Sequence, residues 1–146
     1  MPKEKKKKEE SSKRKKRFSG EFIWLLMLFI WAAGIFTASS IPGSGEHYWD
    51  LGVFLERKGA HIFEFFVLAY LVWKVTDFHE TAFSKKIFFV FLMPFIYAVS
   101  DEAHQLFVFG REGKPLDVGI DLIGILSFIL LILIWRRIFS KEKTPA

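Results

Sequence analysis

Four stretches of the chain are apolar over lengths that match a bilayer, at residues 22–38, 58–75, 87–109 and 117–135. Each comes close to the roughly 20 residues of helix needed to cross about 30 Å of hydrocarbon. Backbone N–H and C=O groups in lipid have to be satisfied within their own segment, so each stretch is expected to be an α-helix. The pattern predicts an all-α membrane protein built as a four-helix transmembrane bundle. The first stretch is almost unbroken and follows a basic run. A cleaved signal peptide is the rival reading, but its apolar part would be shorter, about 7–15 residues, and a clear A-x-A site is missing; an uncleaved anchor is expected. The second stretch is interrupted by Lys58, His61, Glu64 and Lys74, the third carries Pro94 at an expected kink, and Arg136 and Arg137 close the fourth.

The polar segments between the spans set the expected orientation. With the N-terminus inside, the cytoplasmic segments hold seventeen Lys/Arg: ten in residues 1–17, then Lys74, Lys85 and Lys86, then Arg136, Arg137, Lys141 and Lys143. The outer segments hold only Arg57, Lys58, Arg111 and Lys114. Cytoplasmic enrichment of Lys and Arg places both termini inside. The outer segment after the first span opens with Ser39-Ser40-Ile41-Pro42-Gly43-Ser44-Gly45, a turn-forming composition, and its second part, 48–55, is apolar enough to rest at the interface. The inner connection, 76–86, is short and polar. The expected domains are a basic cytoplasmic tail at 1–17, a membrane domain at 18–139 and a second cytoplasmic tail at 140–146.

Charge refines this division. The chain of 146 residues is 51% apolar and carries a formal net charge of +5. Residues 1–17 hold ten Lys/Arg against three Glu, and the remaining residues hold eleven against thirteen Asp/Glu, so the positive excess belongs to the tail. Such a tail cannot bury a core and is expected to be disordered, touching anionic lipid headgroups of the inner leaflet. No recognition fold follows it, so nucleic acid is not an expected partner. Cysteine is absent, which excludes disulfides and thiolate chemistry.

The candidate chemistry lies in charges placed inside the spans. His61, Asp101 and Asp121 each stand 14 residues from the last apolar residue before the cytoplasmic bases, Val75, Ile87 and Trp135. At about 1.5 Å per residue they sit roughly 21 Å up, ~9 Å below the outer boundary. Glu102 shares that depth, Glu64 is deeper, and Lys58, Gln105 and Asp117 lie within about 3–5 Å of the surface. Lys58, His61 and Glu64 follow i, i+3, i+6; Asp101, Glu102 and Gln105 occupy one arc; Asp117, Asp121 and Gly124 follow i, i+4, i+7, with Gly124 permitting close helix approach. Charges in lipid are costly and are functional by default.

Convergence of the three stripes is the expectation. His61, Glu64, Asp101, Glu102 and Asp121 are the candidates for acid–base or ion-binding roles, and Lys58, Gln105, Arg111 and Asp117 for substrate binding. One imidazole among several carboxylates would suit a hard divalent ion, though the spacing is no specific metal signature and direct pairing with Lys58 and Arg111 is the stronger alternative. His104 lies about 100° round the helix from Gln105 and about 200° from Glu102, which leaves a peripheral and an inward position equally open. No nucleotide or haem signature is present.

At these residues the chain resembles the VanZ-like family. The matching blocks are Ser39-Ser40-Ile41-Pro42-Gly43, Lys58-x-x-His61-x-x-Glu64, Ser100-Asp101-Glu102-x-x-Gln105-x-Phe107-x-x-Gly110-Arg111 and Asp117-x-x-x-Asp121-x-x-Gly124, within residues 22–139. Phe109 departs from the pattern, since family members often carry Pro before the Gly-Arg pair. The resemblance implies a small protein of the bacterial inner membrane, in a family whose namesakes are linked to resistance to teicoplanin-type glycopeptides; it implies no general enzymatic activity. Three readings follow. The first is a site near the outer leaflet for a lipid, a lipid-linked wall component or a lipid-tailed antibiotic, in which Lys58 and Arg111 would hold an anionic group such as phosphate and which leaves binding and catalysis equally open. The second is a packing lock in a structural or accessory protein. The third is a small proton-coupled transporter, for which four helices are few and no repeat is visible.

Overall fold

The structure, a computed structural model, describes residues 2–42, 51–79, 81–111 and 113–140, with side chains at 2–16, 51, 53, 54, 56 and 140 left aside. The described residues form four α-helices and no strand: α1 (Pro2–Ser39), α2 (Leu51–Thr76), α3 (Phe83–Gln105) and α4 (Pro115–Ser140). Each contains a segment long and apolar enough to cross a membrane, of 23, 20, 23 and 25 residues in chain order. The four-span, all-helical expectation therefore holds.

The helix ends differ from the sequence reading. Helix α1 starts at Pro2, inside the stretch expected to be disordered. Lys, Arg and Glu are good helix formers, and a helix already nucleated by an apolar span extends at one hydrogen bond per residue. Helix α2 starts at Leu51, so much of the segment expected to rest at the interface is helical. Residues 43–50, the remainder of that connection, lie outside the described residues, as does 141–146 of the expected C-terminal tail. Helix α3 runs unbroken through the buried Pro94 and stops at Gln105, four residues early. Turns take over there: Phe107 N–H donates to His104 O at 2.9 Å, and Arg111 N–H to Val108 O at 3.1 Å. Gly110 follows with φ 72°, a left-handed conformation that costs glycine little.

Helix α2 is central and packs on α1, α3 and α4; α4 also packs on α3, whereas α1 and α4 do not contact each other among the described residues. Phe65, Leu68, Ala69 and Val72 of α2 meet Val90 and Ala98 of α3, Ile125, Phe128 and Ile129 of α4, and Ile35 of α1. The outer faces are apolar instead of charged, with Phe22, Phe29 and Ile30 on α1 and Leu126, Leu130 and Leu131 on α4 exposed. Meanwhile Ser39, Asp101, Glu102, Gln105 and Asp121 are buried. Apolar groups outside and carboxylates inside invert the pattern of a water-soluble protein and match a bundle surrounded by lipid.

Candidate functional site

Two helices that cross in the same direction create the first half of the site. Because α3 returns the chain, α2 and α4 both run away from the end that bears the α3–α4 connection. Their polar stripes therefore pair step by step. Lys58 forms an ion pair with Asp117. One turn on, His61 Nδ1 stands 3.2 Å from Asp121 Oδ1. A further turn on, the backbones touch at Gly124, where a Cβ would lie 2.2 Å from Ile62 O and 3.0 Å from Phe66 N. The i, i+3 and i, i+4 spacings read in the sequence thus mesh on two parallel helices, and Gly124 permits the approach as expected.

The end of α3 supplies the second half. Asp101 and Glu102 are 2% and 5% exposed, and all four of their carboxylate oxygens receive donors. Ser39 Oγ donates to Asp101 Oδ1 at 2.7 Å, and Gln105 Nε2 donates to Asp101 Oδ2 at 3.0 Å and Glu102 Oε1 at 3.3 Å. Lys114 N–H donates to Glu102 Oε2 at 2.9 Å. The α3–α4 connection folds tightly over this end, since a Cβ on Gly113 would sit 2.2 Å from Glu102 O.

The two halves share one field. Asp121 interacts electrostatically with Asp101 and Asp117 as well as His61, Glu102 with Asp117, Asp121 and His61, and Glu64 with His61, Asp101 and Asp121. Lys58, His61, Glu64, Asp101, Glu102, Gln105, Asp117 and Asp121 are therefore gathered, as their spacing predicted.

Their bonding is uneven. Asp121 is fully buried, yet neither of its oxygens makes a hydrogen bond, and neither does His61 Nδ1. The 3.2 Å contact with the imidazole is an ion pair at the long end of hydrogen-bond range, and it reaches one of the two oxygens. A buried carboxylate oxygen left without a donor, as Oδ2 is, costs on the order of 1–3 kcal/mol, more when charged.

Arg111 departs from the sequence reading. Its guanidinium turns to the end of α1, where Nε donates to Ile41 O at 3.0 Å and an Nη to Ala38 O at 3.2 Å. It thus covers one carbonyl of the last turn of α1 and one just beyond the helix, where carbonyls lack intrahelical partners. Lys58 pairs with Asp117. An anionic group was expected to meet two cations here; the cluster instead sets five carboxyl groups against one lysine and one imidazole.

The sequence reading missed the contribution of α1. Ser39 reaches Asp101, Ser40 Oγ lies 3.0 Å from His104 Nε2, and the His104 ring packs on Phe36 at 4.3 Å between centroids. His104, whose position the helical spacing left open, is thus part of the α1–α3 contact. Trp31 Nε1 donates to Glu64 O at 3.0 Å. The signal for Ser39 was present, since it continues the stripe of Leu28, Ala32 and Ile35, which packs on the core, at helical spacing. Among the described residues no three His, Asp or Glu side chains are grouped to hold a metal ion, so the geometry lends the divalent-ion reading no support.

No curated protein and no solved structure matches the chain. The sequence pattern, the four apolar helices and the buried polar cluster agree with one another, and the chain belongs to the VanZ/LLP1 family, whose sequence model matches residues 5–136.

Proposed function

We propose that the chain is a membrane protein of the bacterial inner membrane, with both termini cytoplasmic, that holds the polar head of an amphiphile near the outer leaflet through His61 and Asp121. A lipid, a lipid-linked wall component or a lipid-tailed glycopeptide supplies such a head. The observation that carries the reading is the fully buried Asp121 carboxylate, whose near partner is the His61 imidazole at 3.2 Å from Oδ1 and whose Oδ2 has no donor from within the described residues. With Glu64 and Asp117 adding to the same negative field, the complementary group is an amine or a cluster of hydroxyl or amide donors. A phosphate is disfavoured, because Lys58 is paired and Arg111 is committed to α1.

A packing lock remains the better reading for one part of the cluster. Asp101 and Glu102 have every oxygen satisfied from within the protein and fasten α1 and the α3–α4 connection to α3. Binding and locking thus fall on different residues. Purified protein titrated with a fluorescent amine-headed lipid, phosphatidylethanolamine, and separately with teicoplanin separates the two. Asp121→Asn is expected to weaken binding of at least one probe about tenfold or more, the loss of one charge-assisted contact, with the yield of folded protein retained. Asp101→Asn is expected to lower folded yield. If Asp121→Asn reduces folded yield and binding together, or leaves the affinity for both probes unchanged, the binding assignment is lost.

A further inference from the structure

At the opposite end of the bundle from the carboxylate cluster, the ends of α2 and α4 and the start of α3 line a half-open cavity of about 230 Å³. Trp73, Phe83, Lys86, Ile132, Trp135 and Arg136 line it. The cavity lies below the roughly 300–1,000 Å³ of a drug-sized pocket and suits a compact group. It joins two cations to an aromatic wall. Arg136 places its guanidinium carbon 3.9 Å from the Phe83 ring centroid, and Lys86 Nζ stands 5.5 Å from that of Trp73. Stacking leaves a guanidinium's N–H edge directed along the ring plane and able to bind an anion. Among the described residues Arg136 meets no carboxylate. Lys86 does: its Nζ lies 2.8 Å from Asp77 Oδ1, an exposed acid that any incoming anion would have to displace or share.

The position of the cavity selects its occupant. Trp135, Arg136 and Arg137 end the longest apolar span, an aromatic followed by bases at the level where hydrocarbon gives way to headgroups. Trp135, Ile138 and Phe139 are exposed beside it, offering apolar surface to acyl chains. We propose that this cavity binds the phosphate of an anionic phospholipid from the adjacent leaflet, held between Arg136 and Lys86, with its chains along the outer face of α4. Cationic pockets between helix ends on the basic side of a membrane protein have the chemistry for such headgroups.

The full-length protein in detergent, titrated with short-chain phosphatidylglycerol, phosphatidylcholine and inorganic phosphate and followed by tryptophan fluorescence, tests the assignment. The unaltered protein is expected to bind phosphatidylglycerol more tightly than phosphatidylcholine, and Arg136→Gln to weaken phosphatidylglycerol binding by roughly tenfold, as the loss of one charge-assisted contact would. Arg137→Gln lies outside the cavity and removes the same charge, so it is expected to change affinity by less than about twofold. The basic N-terminal segment contributes a background attraction common to all variants. Asp77→Asn releases Lys86 and is expected to tighten phosphatidylglycerol binding several-fold, an increase that damage to the fold would not produce. Equal affinity for both lipids would overturn the proposal, as would equal losses in Arg136→Gln and Arg137→Gln or no gain in Asp77→Asn. Displacement of the lipid by equimolar inorganic phosphate would also overturn it, revealing a site for the free ion.

Discussion

Single side chains in this bundle are held by contacts with little tolerance. Ser39 supplies the hydrogen bond to Asp101 Oδ1, and Asp101 is 2% exposed. Ser39→Ala would leave that oxygen without its donor in a site that water does not readily reach. The expected cost is about 1–3 kcal/mol, read as a lower unfolding midpoint in detergent, with Ser39→Thr retaining most of the stability because it keeps the hydroxyl. An unchanged midpoint for the alanine variant would show that the bond contributes nothing net. Gly124 is constrained by space. A methyl group there would sit 2.2 Å from Ile62 O, a backbone atom that cannot move aside without parting α2 from α4. Gly124→Ala is expected to cost about 1–3 kcal/mol or more and to disturb His61 and Asp121, which lie within a turn of the contact. The corresponding change at Gly119, which faces open space, is the control and should be close to neutral.

At the level of elements, the spans were legible because length and apolarity fix them, whereas their ends depend on groups far apart in sequence. Helix α3 stops at Gln105, where the chain goes over to turns and comes back through Gly110 so that Lys114 N–H reaches Glu102. Apolar Phe107 and Phe109 gave no sign of this; both are more than four-fifths exposed. The stripes on α2, α3 and α4 were readable as shared depth and shared faces, since helical spacing alone determines both. Which cation meets which carboxylate was not, because Lys58 and Arg111 could reach several partners from similar heights. Arg111 belongs to α1, the helix with the least packing against the rest. Arg111→Gln is therefore expected to loosen the end of α1 without altering the α2–α4 contact. The chain has no cysteine, so cysteines introduced by Ser40→Cys and His104→Cys are the sole targets of a short bifunctional maleimide. Cross-linking across this 3.0 Å contact should fall several-fold in the Arg111→Gln background. Undiminished cross-linking would show that α1 is held by its apolar face alone.

For the molecule as a whole, the two ends of the bundle carry opposite chemistry. One end buries carboxylates among α2, α3 and α4, while the other collects Lys74, Lys86, Arg136 and Arg137 beside Trp73 and Trp135. Arg17 donates to Phe78 O and Glu21 lies 3.3 Å from His79, so the start of the α1 span is tied to the same basic end. A bundle polarised in this way has one favoured orientation, because the inner leaflet attracts juxtamembrane bases by about 1 kcal/mol each and translocating them is unfavourable. With four spans, placing the basic end inside puts both termini in the cytoplasm and the acidic cluster toward the outer leaflet. In intact cells a membrane-impermeant maleimide should therefore label a cysteine introduced by Pro42→Cys, at the exposed end of α1. One introduced by Ser84→Cys, in the exposed first turn of α3, should be labelled only after the membrane is opened. The reverse pattern would invert the bundle, turning the carboxylate cluster to the cytoplasm and the cationic cavity to the outer leaflet, and both ligand assignments would then have to be reconsidered together.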